Sequence, residues 1–113
     1  MSQYVIFFNQ QWVGDHPAEW FETRGPLVGA VVEDIKGAGA FVAAGGLIED
    51  DARSAHADAT TGRLVVSEGP YAPDEQRVGG LTIVDVPDDA TARMWAGRIA
   101  EACGWPQEVR PLL

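Results

Sequence analysis

The segment VGGLTIVDVPDDATARMWAGRIAEACGWPQEVR, residues 78–110, decides the fold. Val78 to Val86 reads as a strand. Leu81 and Ile83 point one way, and Thr82, Val84 and Val86 the other. Neither face is polar, so both want cover. Pro87-Asp88-Asp89 then opens a helix, with Asp88 as its cap. Met94 or Trp95, Ile99 and Ala102 form the buried stripe of that helix. Gly104 stands where a glycine C-cap belongs. Trp105 to Arg110 makes a closing strand, stopped by Pro111. The unit is strand, helix, strand.

Working outward, the N-terminal half repeats the same plan. Gln3 to Phe8 is a strand with apolar side chains on both faces. A helix starts at Asp15 or His16, with Pro17 in its first turn. Trp20, Arg24, Val28, Val31, Val32 and Ile35 follow helical spacing. Gly25-Pro26 predicts a kink or break, because proline removes a donor and disfavours helix at the residue before it. The helix ends near Gly37 to Gly39, and Ala40 to Ala44 is a second strand. Leu47 to Arg53 is an acidic loop. Ser54–Asp58 and Arg63–Ser67 form a hairpin around Thr60-Thr61-Gly62. Glu68 to Gln76 is a loop.

The order βαβ, hairpin, βαβ is the split arrangement of ferredoxin-like α+β sandwiches, with two helices on one face of an antiparallel sheet. Strands apolar on both sides leave the other face bare. A second copy of the chain is the simplest cover, so a homodimer with sheets face to face is expected.

Composition narrows the function classes. The chain has 113 residues, enough for one domain spanning 1–113. Eight Lys plus Arg against seventeen Asp plus Glu give a formal charge of −9. Such a surface repels phosphate backbones and anionic lipids, which argues against nucleic-acid and membrane partners. No basic leader precedes Tyr4–Phe8, and no apolar run approaches the roughly 20 residues of a membrane span. A cytoplasmic protein is expected. The one cysteine, Cys103, reads as a small buried hydrophobe.

Particular residues then carry a resemblance. Glu68-Gly69-Pro70-Tyr71-Ala72, Glu75-Gln76 and Val78-Gly79-Gly80 resemble the DGPF-type signature of the YCII-related family, with Glu68 for its Asp and Tyr71 for its Phe. The run Gly37–Leu47 and the close Glu108-Val109-Arg110-Pro111 resemble family segments as well, so the likeness spans nearly the whole chain. It implies a ferredoxin-like fold pairing into a dimeric α/β barrel. Some relatives are thought to use a His–Asp dyad. Aligned on Gly39, its two positions fall on Val28 and Gly37, and neither residue moves a proton.

Among other candidates, His56 lies on a hairpin strand with Glu49, Asp50 and Asp51 upstream. A carboxylate beside a histidine would support it as a general base. Glu68, Tyr71 and Arg77 gather in the signature loop, where Tyr71 would stack on a ligand and Glu68 or Arg77 would fix its polar end. No ligand spacing for a metal is present, and no cofactor is expected. Gly45-Gly46 and Gly79-Gly80 lack phosphate-loop spacing and read as sites of close backbone contact. The first reading is a homodimer that binds a small molecule or a protein without strong catalysis. The alternative is a lyase- or isomerase-type enzyme acting on a small acid, aromatic or not, through His56 or a loop carboxylate.

Overall fold

A computed structural model describes residues 1–113. The strands are β1 (Ser2–Asn9), β2 (Phe41–Gly46), β3 (Ala55–Asp58), β4 (Val65–Glu68), β5 (Val78–Val86) and β6 (Glu108–Pro111). The helices are α1 (Ala18–Gly37) and α2 (Asp89–Cys103), and two single 3₁₀ turns follow β1 and precede β3. Four strands form one antiparallel sheet in the order β2-β5-β1-β6, and β3-β4 is a separate hairpin. With the hairpin set aside, this is the ferredoxin-like arrangement expected from the sequence.

The alternation of β1 and β5 divides the sheet. Tyr4 and Ile6 on β1 and Val84 and Val86 on β5 are buried beneath the helices, against Val31 and Ile35 of α1 and Ala92, Trp95, Ala96 and Ile99 of α2. Burying such side chains stabilises by roughly 1.5–3 kcal/mol each. The α2 stripe settles on Trp95, while Met94 is 44% exposed. The opposite face carries Val5, Phe7, Leu81 and Ile83, all half-buried, with Val5 opposite Ile83 and Phe7 opposite Leu81.

Two expectations about α1 are corrected. The helix does not break at Gly25-Pro26 but runs through Pro26 for twenty residues. Pro26 withholds the amide that would bond the Glu22 carbonyl, at roughly 3 kcal/mol in a helix interior. Both residues are exposed, so water reaches that carbonyl. The turns before Pro26 are held by packing instead: the rings of Trp20 and Phe21 lie 6.1 and 6.4 Å from Trp105. Nor does Asp15 or His16 start the helix. Pro17 is the N-cap and accepts nothing through its side chain, while His16 stacks on Trp20 at 3.6 Å.

The C-terminal helix follows its sequence. Asp88 caps α2 by accepting from the Thr91 backbone N–H at 2.8 Å and the Thr91 hydroxyl at 2.6 Å. These two hydrogen bonds, the hydroxyl's the larger, hold the Asp88 carboxyl below its ordinary value of 3.8. A carboxyl lowered on folding stabilises above the unfolded value and loses that effect as pH falls through the folded one. Asp88→Ala is therefore expected to lower the urea midpoint at neutral pH. The deficit should shrink in acid below the carboxylate range. A deficit independent of pH would show that the ionised cap contributes nothing.

The β3-β4 hairpin projects as an arm. The radius of gyration is 16.1 Å, against roughly 13 Å for a compact chain of this length. Leu64, Val65 and Val66 lie exposed along it.

Candidate functional site

α1 is a poor helix on one side for a reason that the sheet makes visible. Gly25, Val28, Gly29, Val32 and Lys36 form one wall of a cleft of about 570 Å³ between α1 and the ends of β1, β2 and β5. Phe8, Phe41, Leu81, Cys103 and Trp105 supply much of the rest. Each interior glycine costs about 1 kcal/mol relative to alanine. A Cβ added at Gly25 or Gly29 would meet nothing within 4 Å, so no packing demands the absent side chains. Their absence instead keeps the wall low and the cleft wide.

The far wall is shaped by another close approach. Gly79 and Gly80 lie under the Phe8 ring, where an added Cβ would come within 2.5 and 2.8 Å of its carbons. The tight backbone contact expected of this glycine pair is thus to Phe8. The Phe8 ring rests edge-on against Trp105, with centroids 5.1 Å apart. An aromatic rim of Phe8, Trp105 and Phe21 follows.

The polar groups in the cleft are few, and two of its three charged ones are cations. Arg24 and Lys36 face one carboxylate, Glu33, in a chain whose formal charge is −9. Lys36 pairs with Glu33 at 3.5 Å and lies over the Phe41 ring. The Arg24 guanidinium lies 4.7 Å from the centre of the Trp20 ring. The Cys103 thiol is pushed up to about 11 by burial, with Arg24 pulling the other way. It is a neutral thiol at pH 7 rather than a nucleophilic thiolate. The two positions aligned with the relatives' dyad are Val28, on the cleft wall, and Gly37, at the end of α1.

The residues singled out from the sequence lie elsewhere. The His56 ring is on the arm and its Nδ1–H donates to the Gly69 carbonyl at 3.0 Å. A carbonyl can only accept, so the proton sits on Nδ1 and Nε2 is free. Tyr71 meets the His56 ring edge-on at 5.5 Å and is 70% exposed. Glu68 is exposed at the base of the arm, opposite Ala55. Arg77 reaches Asp51 at 2.8 Å, and Asp50 accepts from the Ala52 amide. Gly69, at φ 88°, turns the chain so that Glu68 and Arg77 part. His56 and Tyr71 are brought together, while Glu68 and Arg77 are held apart from them. No three His, Cys, Asp or Glu side chains gather as a metal site, and no helix is long and apolar enough to cross a membrane.

From the sequence, Arg24 figured only in the helical spacing and Trp105 only at the start of the closing strand. The signal for this cleft was available: two glycines four residues apart inside a helical pattern, one of them beside Arg24. Comparison with known families agrees with the fold. A model described as a YCII-related domain matches residues 14–104. No curated protein matches the chain.

Proposed function

The chain belongs to the YCII-related domain family, and from that footing we propose that it is a homodimer whose work is to bind a small molecule in the α1 cleft. The carrying observation is the cleft wall made of Gly25 and Gly29, which sacrifices helix stability and gains only open space. Its volume of about 570 Å³ lies within the roughly 300–1,000 Å³ of small-ligand sites. Its lining is mainly apolar, with a few polar groups to orient a ligand. The dyad positions carry Val28 and Gly37, which favours binding over acid–base catalysis at this place. The exposed arm and the apolar outer sheet face support pairing with a second copy. The single free Cys103 suits a reducing compartment, and the reading places the protein in the cytoplasm.

The test fills the cleft without touching the core. Gly29→Leu puts a side chain into the open space while replacing the weakest helix former but proline with a good one. We expect unchanged or raised stability. The affinity for a neutral apolar dye, N-phenylnaphthylamine, should fall at least about tenfold by fluorescence titration. Tenfold corresponds to about 1.4 kcal/mol, a modest share of a buried apolar contact. Equal dye affinity in both proteins would remove the cleft from consideration.

A second reading keeps His56 as an acid–base group, favoured by its free Nε2 and by Tyr71 beside it. The partner in its one hydrogen bond is a carbonyl, which orients the ring but does not stabilise its charged form as a carboxylate would.

A further inference from the structure

Two covered hydrogen-bond donors on residues that line the cleft have no acceptor within the chain. Arg24 Nε and Trp105 Nε1 are both buried atoms without an acceptor in the protein, and both residues line the cleft. Buried donors are almost always satisfied; both nitrogens are covered in the unliganded chain, so an acceptor from outside meets them only as the two side chains turn toward the cleft that their residues line. Arg24 is unpaired in a chain with seventeen carboxylates; the three ion pairs use Lys36, Arg77 and Arg98.

From this geometry we propose that the cleft selects an apolar carboxylic acid, its carboxylate taken by Arg24 and the Trp105 indole N–H and its hydrocarbon laid along Val28, Val32, Phe41 and Phe8. The inference rests on the reading of the cleft as a ligand site and adds the class of ligand.

The chemistry of the surroundings agrees. A guanidinium offers a planar fork of donors that matches a carboxylate, and it stays charged when partly desolvated. The Trp20 ring supports the guanidinium in a cation–π contact, 4.7 Å from its carbon to the ring centre, without neutralising its charge. Cys103 remains neutral, so it offers Arg24 no competing negative charge. The ligand carries one localised anionic end and an apolar remainder, because the charged groups of the cleft are few and the wall of α1 is glycine and valine. A polyanion such as a nucleotide would instead meet an apolar lining and a net acidic protein.

The experiment compares an acid with its uncharged twin. Naphthylacetic acid and naphthylacetamide have one shape and differ in charge; octanoate and octanol make the same comparison for an aliphatic tail. Binding is followed by calorimetry and by the tryptophan fluorescence of the intact protein. We expect at least one acid to bind about tenfold or more tighter than its neutral twin at neutral pH. Whichever pair shows the larger preference identifies an aromatic or an aliphatic tail. Arg24→Gln should bring that acid down to the affinity of its twin and leave the twin unchanged. Trp105→Phe, which keeps the ring and removes the N–H, should weaken the acid alone. Equal binding of acids and twins by the unaltered protein would overturn the carboxylate anchor while leaving the cleft a ligand site. Failure of all four compounds together with N-phenylnaphthylamine would overturn both.

Discussion

If the proposed homodimer forms, a chain carrying Ile83→Lys should scatter light as a single 12.1-kDa species and the unaltered chain should scatter at twice that mass. Ile83 is on the sheet face away from the helices, between Val5 on β1 and Ala43 on β2. In an isolated chain that face meets water, so a lysine there is tolerated and the far-UV circular dichroism should not change. In a two-fold pair the same patch meets itself, and each partner then buries an ammonium without a counter-ion. Effective penalties of several kcal/mol per buried ion weaken the dissociation constant by more than about a thousandfold. The effect is therefore nearly all-or-none at micromolar concentration. An unaltered chain that is already monomeric there would end the dimer proposal.

The geometry also says what else must take part. Four strands at about 4.8 Å spacing, six residues deep, give a projected footprint of roughly 400 Å². A stable pair usually buries about 800 Å² of accessible surface per partner. The arm would close much of that gap, because Leu64, Val65 and Val66 keep half or more of their surface exposed on it. The sheet face alone would make a weak pair; the face with two reciprocating arms would make a firm one.

What the sequence made legible was local. The Asp88 cap, the left-handed Gly104 and the strand Val78–Val86 each follow from a few adjacent residues whose backbone preferences agree. The order of the strands followed as well, since both βαβ halves declare themselves by pattern. Pro26 misled because its cost is local while its remedy is not: Trp20 and Phe21 meet Trp105, more than eighty positions away, and that packing holds the turns before the proline. The site was hidden for a related reason. Glu68, Tyr71 and Arg77 draw attention by sitting close together in sequence, yet a turn at Gly69 sends them to different neighbours. Arg24 and Trp105 are far apart in the chain and gain meaning only when α1 and the chain beyond α2 bring them to one cavity.

Gly104→Ala is expected to cost roughly 3 kcal/mol of folding stability, about twice the cost of the same change at Gly39. Both glycines hold positive φ, 89° and 72°, so both substitutions meet the left-handed penalty of about 1–2 kcal/mol. They differ in what surrounds them. A methyl group at Gly39 finds nothing within 4 Å, whereas at Gly104 it comes within 2.6 and 2.9 Å of two carbons of the Trp20 ring. Something must move, and the backbone of the α2 cap is held by the Gly104 amide bonded to the Ala100 carbonyl. The indole therefore shifts, which disturbs its contacts with His16, Phe21, Trp105 and Arg24. Displacing packed aromatic area adds roughly 1–3 kcal/mol. Urea unfolding of the two variants measures the difference directly, since the shared backbone term cancels between them. The same shift moves the Arg24 guanidinium off its support, so Gly104→Ala should also lose acid binding that Gly39→Ala retains. Equal destabilisation by the two substitutions would mean that Trp20 does not rest on Gly104, and the floor under Arg24 would have to be redrawn.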